Sequence, residues 1–254
     1  MRKLNPKILV MAMLLGTMPM LVTCEAQNPM ALMIFDAMAL TPKQQCQIQP
    51  GQRAQAIIPY GILDVLLTNR YYLFPRFKNV MVPLSSITGE GSGSLQSETN
   101  ILSVAGAKVW IDLGALTPAL GDADYNIITP YILDGVQNTV AESVEPDQEG
   151  TVAVEVIKPE VGNFLGEMLR ATDAPLKAAL DVNVYVLLQA ETQSGEVVYS
   201  NEFAFPIKVC YGCLVIPTVA TEANEMPCNY GQDFAIIPVW CPPLAIWPED
   251  CPVY

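Results

Sequence analysis

Four residues near the C-terminal end, Cys210-Tyr211-Gly212-Cys213, place two thiols three positions apart. That spacing suits half of a zinc site, a dithiol redox couple, or structural cross-linking. A zinc site needs four thiolate or imidazole ligands, usually as two close pairs. The chain has no histidine, and the cysteines that follow, Cys228, Cys241 and Cys251, are 13 and 10 residues apart. A C-x-x-C redox couple draws its reactivity from a helix N-terminus, where the dipole lowers the thiol pKa. Cys210 instead follows the strand-like PIKV, and LVIPTVA beyond it is rich in branched residues and proline. Structural disulfides are therefore expected. A Cys210–Cys213 bridge would close a tiny loop and restrain little of the unfolded chain. The pairing expected is Cys210 and Cys213 crossing to Cys228 and Cys241 in some order, with Cys46 joined to Cys251.

Other chemistries find less support. Without histidine, Ser-His-Asp and Cys-His arrangements are excluded. GEGSGS, residues 89–94, carries Gly91 where a nucleophilic serine would stand, and reads as a flexible loop. Asp122, Asp124 and Asn126 echo the start of a calcium loop, but its glycine and distal glutamate are missing, which leaves an acidic turn. Among 26 acidic residues no arrangement singles out a carboxylate pair for glycoside chemistry. Neither catalytic residues nor a cofactor is expected. Trp110 is expected in the core. Trp240 and Trp247 flank Cys241 and a Pro-Pro, and are expected to pack on the disulfides, with an aromatic platform for glycan or protein contact as the alternative.

The N-terminal end bears on compartment. Arg2, Lys3 and Lys7 precede an uncharged run, ILVMAMLLGTMPMLV, at residues 8–22. That is shorter than the roughly 20 residues a membrane span needs, and reads as an export signal. Leu21-Val22-Thr23-Cys24 resembles the lipobox of bacterial lipoproteins, although Thr23 replaces the usual Gly, Ala or Ser. The resemblance implies that Cys24 is acylated and begins the mature chain. Acyl chains contribute about 0.8 kcal/mol per buried CH2, so a multiply acylated Cys24 would hold firmly to a bilayer. Cys24-Glu25-Ala26 also reads as a small-x-Ala site, giving a soluble exported product. Loss of residues 1–23 removes three of 13 basic residues and none of 26 acidic ones, so 10 face 26 and the net charge is −16. Such a surface repels phosphate backbones, and nucleic acid is not an expected partner. With Cys24 set apart, Cys46, Cys210, Cys213, Cys228, Cys241 and Cys251 are an even number, as an oxidising compartment favours.

Behind the signal (1–23), residues 24–50 read as a tether with a short helix, since Met30, Met33, Ile34 and Met38 share a helical face. Residues 51–209 read as the main domain. RAQAIIPYGILDVLL and RYYLFPRFKNVM are strand-like, and Pro59 and Pro75 assign them to edges or bulges. A polar loop at 83–100 leads to strands at 101–113 and 125–132. The acidic loop AESVEPDQEG then precedes TVAVEVI, where Val152, Val154 and Val156 alternate. PEVGNFLGEMLRAT, 159–172, is helical, shortened to a turn or two by Gly162 and Gly166. Residues 181–209 form a long hairpin turning at QSGE. The fold class is all-β: an immunoglobulin/fibronectin-like antiparallel β-sandwich with one short helix and a disulfide-stapled, Cys/Pro-rich segment at 210–254.

SGEVVYSNEFAFPIKVCYGCLV, followed by Cys228, Gly231-Gln232-Asp233 and Cys241, resembles a group of uncharacterised predicted lipoproteins from myxobacteria and related bacteria. In that group a strand feeds a C-x-G-C-L turn, then a Cys, a G-Q-D sequence and another Cys. ILDVLLTNRYYLFPRFKN is similar to their first domain strands, so the resemblance covers most of 60–241; Cys46 and Cys251 lie outside it. The group has no established activity. The reading is a lipoprotein of a Gram-negative cell envelope, on the periplasmic face or cell surface, anchored to inner or outer membrane. It is expected to be a non-catalytic structural or binding module with another envelope protein or a polysaccharide as partner. The rival is a carboxylate- or calcium-dependent, glycan-acting envelope enzyme.

Overall fold

Alternation of apolar side chains at every second position dictates most of the observed elements. The structure is a computed structural model, and the residues described are 30–41, 46–48, 56–83, 100–114, 128–171, 179–215 and 228–233. Their strands are, along the chain, β1 (Leu32–Ala39), β2 (Ala56–Ile57), β3 (Gly61–Asp64), β4 (Tyr71–Asn79), β5 (Leu102–Asp112), β6 (Val136–Val144), β7 (Glu149–Thr151), β8 (Val154–Ile157), β9 (Ala179–Thr192), β10 (Val197–Tyr199) and β11 (Phe203–Cys210). Helix α1 (Pro159–Ala171) lies between β8 and β9.

Two curled sheets share one core. The first runs β2-β1-β4-β7 with β8 also on β4; the second runs β3-β11-β9-β5-β6 with β10 also on β9. Strand pairings are antiparallel except β3 with β11, which is parallel. On β9, Val182, Val184, Val186 and Leu188 are fully buried, and Phe205 and Ile207 of β11 lie opposite Val184 and Val182. Burying each such side chain contributes about 1.5–3 kcal/mol, which is why this hairpin anchors the second sheet.

Side-chain amides stand in for peptide groups where the sheets meet. The return arm of the hairpin breaks at Ser200-Asn201-Glu202, and Ser200 Oγ accepts from Leu188 N at 2.9 Å in place of a strand carbonyl. Asn201 then reaches the other sheet: its Oδ1 accepts from Ile34 N at 2.7 Å and its Nδ2 donates to Ile34 O at 3.1 Å. Asn79, fully buried at the end of β4, donates through Nδ2 to Asn100 O (2.8 Å) and Val144 O (3.1 Å) and accepts from Met81 N (3.0 Å). Asn138 on β6 donates to Glu155 O on β8 at 3.2 Å. A buried peptide group without a partner costs about 1–3 kcal/mol, so these amides satisfy groups that neither sheet supplies.

Several expectations need correction. Residues 32–39, expected within a helical tether, are strand β1 of the first sheet, pairing with β4 from Leu32↔Asn79 to Met38↔Phe74. Residues 128–134, expected as part of a strand at 125–132, are helical, with Pro130 beginning a π-helical turn to Asp134. The acidic stretch 141–150 is the end of β6, a turn, and the start of β7. Helix α1 runs its full 13 residues because Gly162 is used for close approach: a β-carbon there would collide with the Asn69 carbonyl. β4 is interior rather than an edge, and of the two alternatives it shows the irregular pairing: its register with β8 shifts between Tyr71 and Tyr72. Pro75 O accepts from Thr151 Oγ1, so its N–H-less nitrogen faces the interval between β7 and β8, where no strand pairs. Trp110 lies outside the core, stacked on Tyr185 at 5.7 Å, while Val109 and Ile111 point inward.

Candidate functional site

The parallel pairing of β3 with β11 ends at Cys210↔Asp64, so the CYGC turn and a carboxylate leave the sheet side by side. Asp64 is fully buried at the end of an apolar strand. Its Oδ1 accepts from Gly212 N (2.7 Å) and Leu66 N (3.1 Å), and its Oδ2 accepts from Leu214 N (2.9 Å). The turn after β11 is thus folded around a buried carboxyl group. Gly212, at φ +76°, supplies the left-handed residue that aims its amide inward. Arg170, in the last turn of α1, lies 5.1 Å from the centre of the Tyr211 ring and fixes the turn against the helix.

Gly231-Gln232-Asp233 closes the open edge of β3. Asp64 N donates to Gly231 O and Asp233 N to Ile62 O, both at 2.9 Å, and Leu63 bridges to Gln232 as an antiparallel neighbour. The Gln232 side chain then crosses to β4, donating to Tyr72 O at 2.6 Å and accepting from Tyr72 N at 3.0 Å. Asp233 Oδ1 accepts from Ile62 N (2.9 Å) and from the hydroxyl of fully buried Tyr71 (2.7 Å). Burial pushes the Asp233 carboxyl above its usual range, against the opposing pull of Ile62 N–H, Tyr71 and Gln232. Burial also holds the Tyr71 hydroxyl well above the ordinary tyrosine value, and the neighbouring Asp233 charge adds to this.

The disulfides differ from the expected pairing. Cys210 bonds Cys213, and Cys46 bonds Cys228, with Cα–Cα distances of 5.9 and 5.3 Å. Wrapping the turn around Asp64 brings Cys210 and Cys213 to bonding distance, which loop length alone did not foresee. Cys228 stands just before the Gly231-Gln232-Asp233 segment, so its bond ties that segment to the chain beyond β1. Cys24, Cys241, Cys251, Trp240, Trp247, the 89–94 loop and the 122–126 turn lie outside the described residues.

Asp64 Oδ, Cys210 Sγ and Cys213 Sγ lie within 4.8 Å of one another, but a metal needs thiolates and here both sulfurs are bonded. Asp64 and Asp233 have both oxygens engaged by donors. Elsewhere, Glu155 and Glu160 both act on Tyr131, whose hydroxyl donates to Glu160 at 3.5 Å, while Arg70 pairs with Glu155 at 3.5 Å. Burial, aided by these carboxylates, raises the Tyr131 pKa. A groove of about 250 Å³ between the β5–β6 and β9 ends is lined by Ile101, Ser103, Ser143, Glu191, Thr192 and Gln193, and brings one carboxylate to its wall.

Sequence reasoning found CYGC and Gly231-Gln232-Asp233 but missed Asp64 and Tyr71. The signal for Asp64 was its isolation: a lone carboxylate inside GILDVLL demands donors. Fold and site together define a two-sheet β-sandwich whose polar motifs close its sheets. Compared with known proteins, the chain matches no family model, no curated protein and no solved structure. No helix among the described residues is long and apolar enough to cross a membrane.

Proposed function

We propose that this chain is an exported lipoprotein of a Gram-negative cell envelope, held to the membrane through Cys24. It acts as a non-catalytic structural or binding module on an immunoglobulin/fibronectin-like sandwich, presenting loops to another envelope protein or a polysaccharide. The observation that carries the non-catalytic part is the use made of the motif residues. Asp64, Gln232 and Asp233, the polar groups that surround CYGC and its companion motif, direct their oxygens and amides at backbone groups, at the Tyr71 hydroxyl and at one another. Groups committed in this way to holding main chain and one another in place support a structural role for the motifs. The anchor rests on the basic start, the apolar run and the Leu21–Cys24 sequence, and the acidic surface is in keeping with a location outside the cytoplasm.

The test is the mature N-terminus and its consequence. Intact mass and N-terminal peptide mapping of protein from its native envelope should find acylated Cys24, and Cys24→Ala should move the protein from the membrane to the soluble fraction. A mature chain beginning at Gln27, or unchanged membrane fractionation of Cys24→Ala, would overturn the lipoprotein reading. Hydrolysis of envelope polysaccharide that Glu155→Gln or Glu160→Gln abolishes would favour the enzyme instead.

A further inference from the structure

The Cys210–Cys213 disulfide closes a turn whose shape is already set without it. Both oxygens of buried Asp64 are held by amides of that turn, Gly212 N at 2.7 Å and Leu214 N at 2.9 Å, and neither bond passes through sulfur. Val65 N donates to Cys210 O at 2.9 Å, which fixes the entry to the turn in the same way. None of the three bonds uses sulfur as donor or acceptor. The two sulfurs also differ in access: Cys210 is 1% exposed, whereas Cys213 is partly exposed. Leu63 O lies 3.5 Å from Cys210 Sγ, within reach of a thiol S–H.

We infer that Cys210–Cys213 is a thiol–disulfide exchange site, attacked at Cys213 and cycled between disulfide and dithiol while the fold stays closed. Its co-substrate is a dithiol, protein or small molecule. A thiolate of the incoming dithiol attacks Cys213 Sγ and forms a mixed disulfide. The Cys210–Cys213 bond breaks, and Cys210 leaves with the electron pair, takes a proton and donates the resulting S–H to Leu63 O. The second thiolate of the incoming molecule then attacks its own sulfur in the mixed disulfide and releases Cys213, which takes the second proton. Two electrons and two protons pass to the pair, and the incoming dithiol becomes a disulfide. Cys210 ends a strand rather than opening a helix, so no dipole activates it as a nucleophile. The closed pair is the electron acceptor, and the driving thiolate belongs to the partner.

The experiment equilibrates the full chain in graded ratios of reduced to oxidised dithiothreitol, alkylates the free thiols and maps them by peptide mass. Near-UV circular dichroism is followed in parallel. The expected result is a range in which Cys210 and Cys213 are alkylated, Cys46–Cys228 stays bonded, the near-UV signal is kept, and removal of reductant restores the bond. Reduction of the pair only together with loss of the near-UV signal, or only after Cys46–Cys228 opens, would overturn the proposal. A second arm compares single variants reacting with oxidised glutathione. Cys213 in Cys210→Ser should form the mixed disulfide on the order of tenfold faster than Cys210 in Cys213→Ser, as access dictates. Equal rates, or a faster Cys210, would count against attack at Cys213, and the wild-type titration decides the matter if either variant does not fold.

Discussion

Gln232 pairs with Tyr72 as a neighbouring strand would: its Nε2 donates to the Tyr72 carbonyl at 2.6 Å and its Oε1 accepts from the Tyr72 amide at 3.0 Å. Gln232 is 3% exposed, so water cannot replace it. Gln232→Ala strands two main-chain groups of β4, at about 1–3 kcal/mol each, and should cost roughly 2–5 kcal/mol of stability in urea unfolding. Gln232→Glu should cost at least as much, because a carboxylate cannot donate to Tyr72 O and sets a second charge beside Asp233. Either variant within about 0.5 kcal/mol of wild type would show that the pairing does not join the sheets.

Asn201 and Ile34 repeat the arrangement at another seam, with the same two-bond geometry. Asn201→Asp keeps the acceptor for Ile34 N and loses the donor to Ile34 O; Asn201→Ala loses both. The expected order of stability by thermal unfolding is wild type, then Asp, then Ala, with the full step about 2 kcal/mol or more. An Asp variant less stable than Ala would mean that carboxylate desolvation, rather than the missing donor, dominates this seam.

Asp64 should matter more to stability than the disulfide it faces. Asp64→Ala leaves the amides of Leu66, Gly212 and Leu214 without their acceptor, a loss of about 3 kcal/mol or more. Loop-closure entropy assigns the Cys210–Cys213 bond about 2 kcal/mol, and the Cys46–Cys228 bond, across a separation of 182 residues, about 5 kcal/mol. Urea unfolding of Asp64→Ala, Cys210→Ser/Cys213→Ser and Cys46→Ser/Cys228→Ser should rank the paired-cysteine variants in that order, with Asp64→Ala below the 210–213 double variant. A 210–213 double variant less stable than Asp64→Ala would reverse the assignment of what shapes the turn.

How much of this was legible in the sequence depends on which pattern each element writes. The hairpin of β9 and β11 was readable because one face is wholly apolar and the other polar over many residues. Strand β1 was not, because Ala37, Met38 and Ala39 are all buried and erase the period of two, while Met30, Met33, Ile34 and Met38 mimic a helical face. Strand β6 was hidden by its polarity: within Val136–Val144 the buried residues are Val140 and Val144. Gly162 looked like a helix breaker, since its packing on Asn69 joins residues far apart in sequence. The site divides in the same way. Cysteine spacing and Gly231-Gln232-Asp233 announce themselves locally, whereas Asp64 gains its role only when β3 pairs with β11.

Asp233 supplies a pH signature with a definite sign. Burial raises its carboxyl above the ordinary value of 3.8, so between that pH and the folded-state pKa the native chain holds a proton that the unfolded chain has released. Stability contributed by the group is therefore complete below about pH 3.8 and is lost as pH rises through the folded value, after which it is constant. Asp233→Asn removes the titration while Asn Oδ1 can still accept from Ile62 N and Tyr71. The difference in unfolding free energy, wild type minus Asp233→Asn, should fall with pH across that window and then level off. Tyr71→Phe deletes a hydrogen bond that favours the ionised carboxylate, so the window should extend to higher pH in that background. A wild-type advantage that instead grows with pH would mean that the donors around Asp233 outweigh its burial.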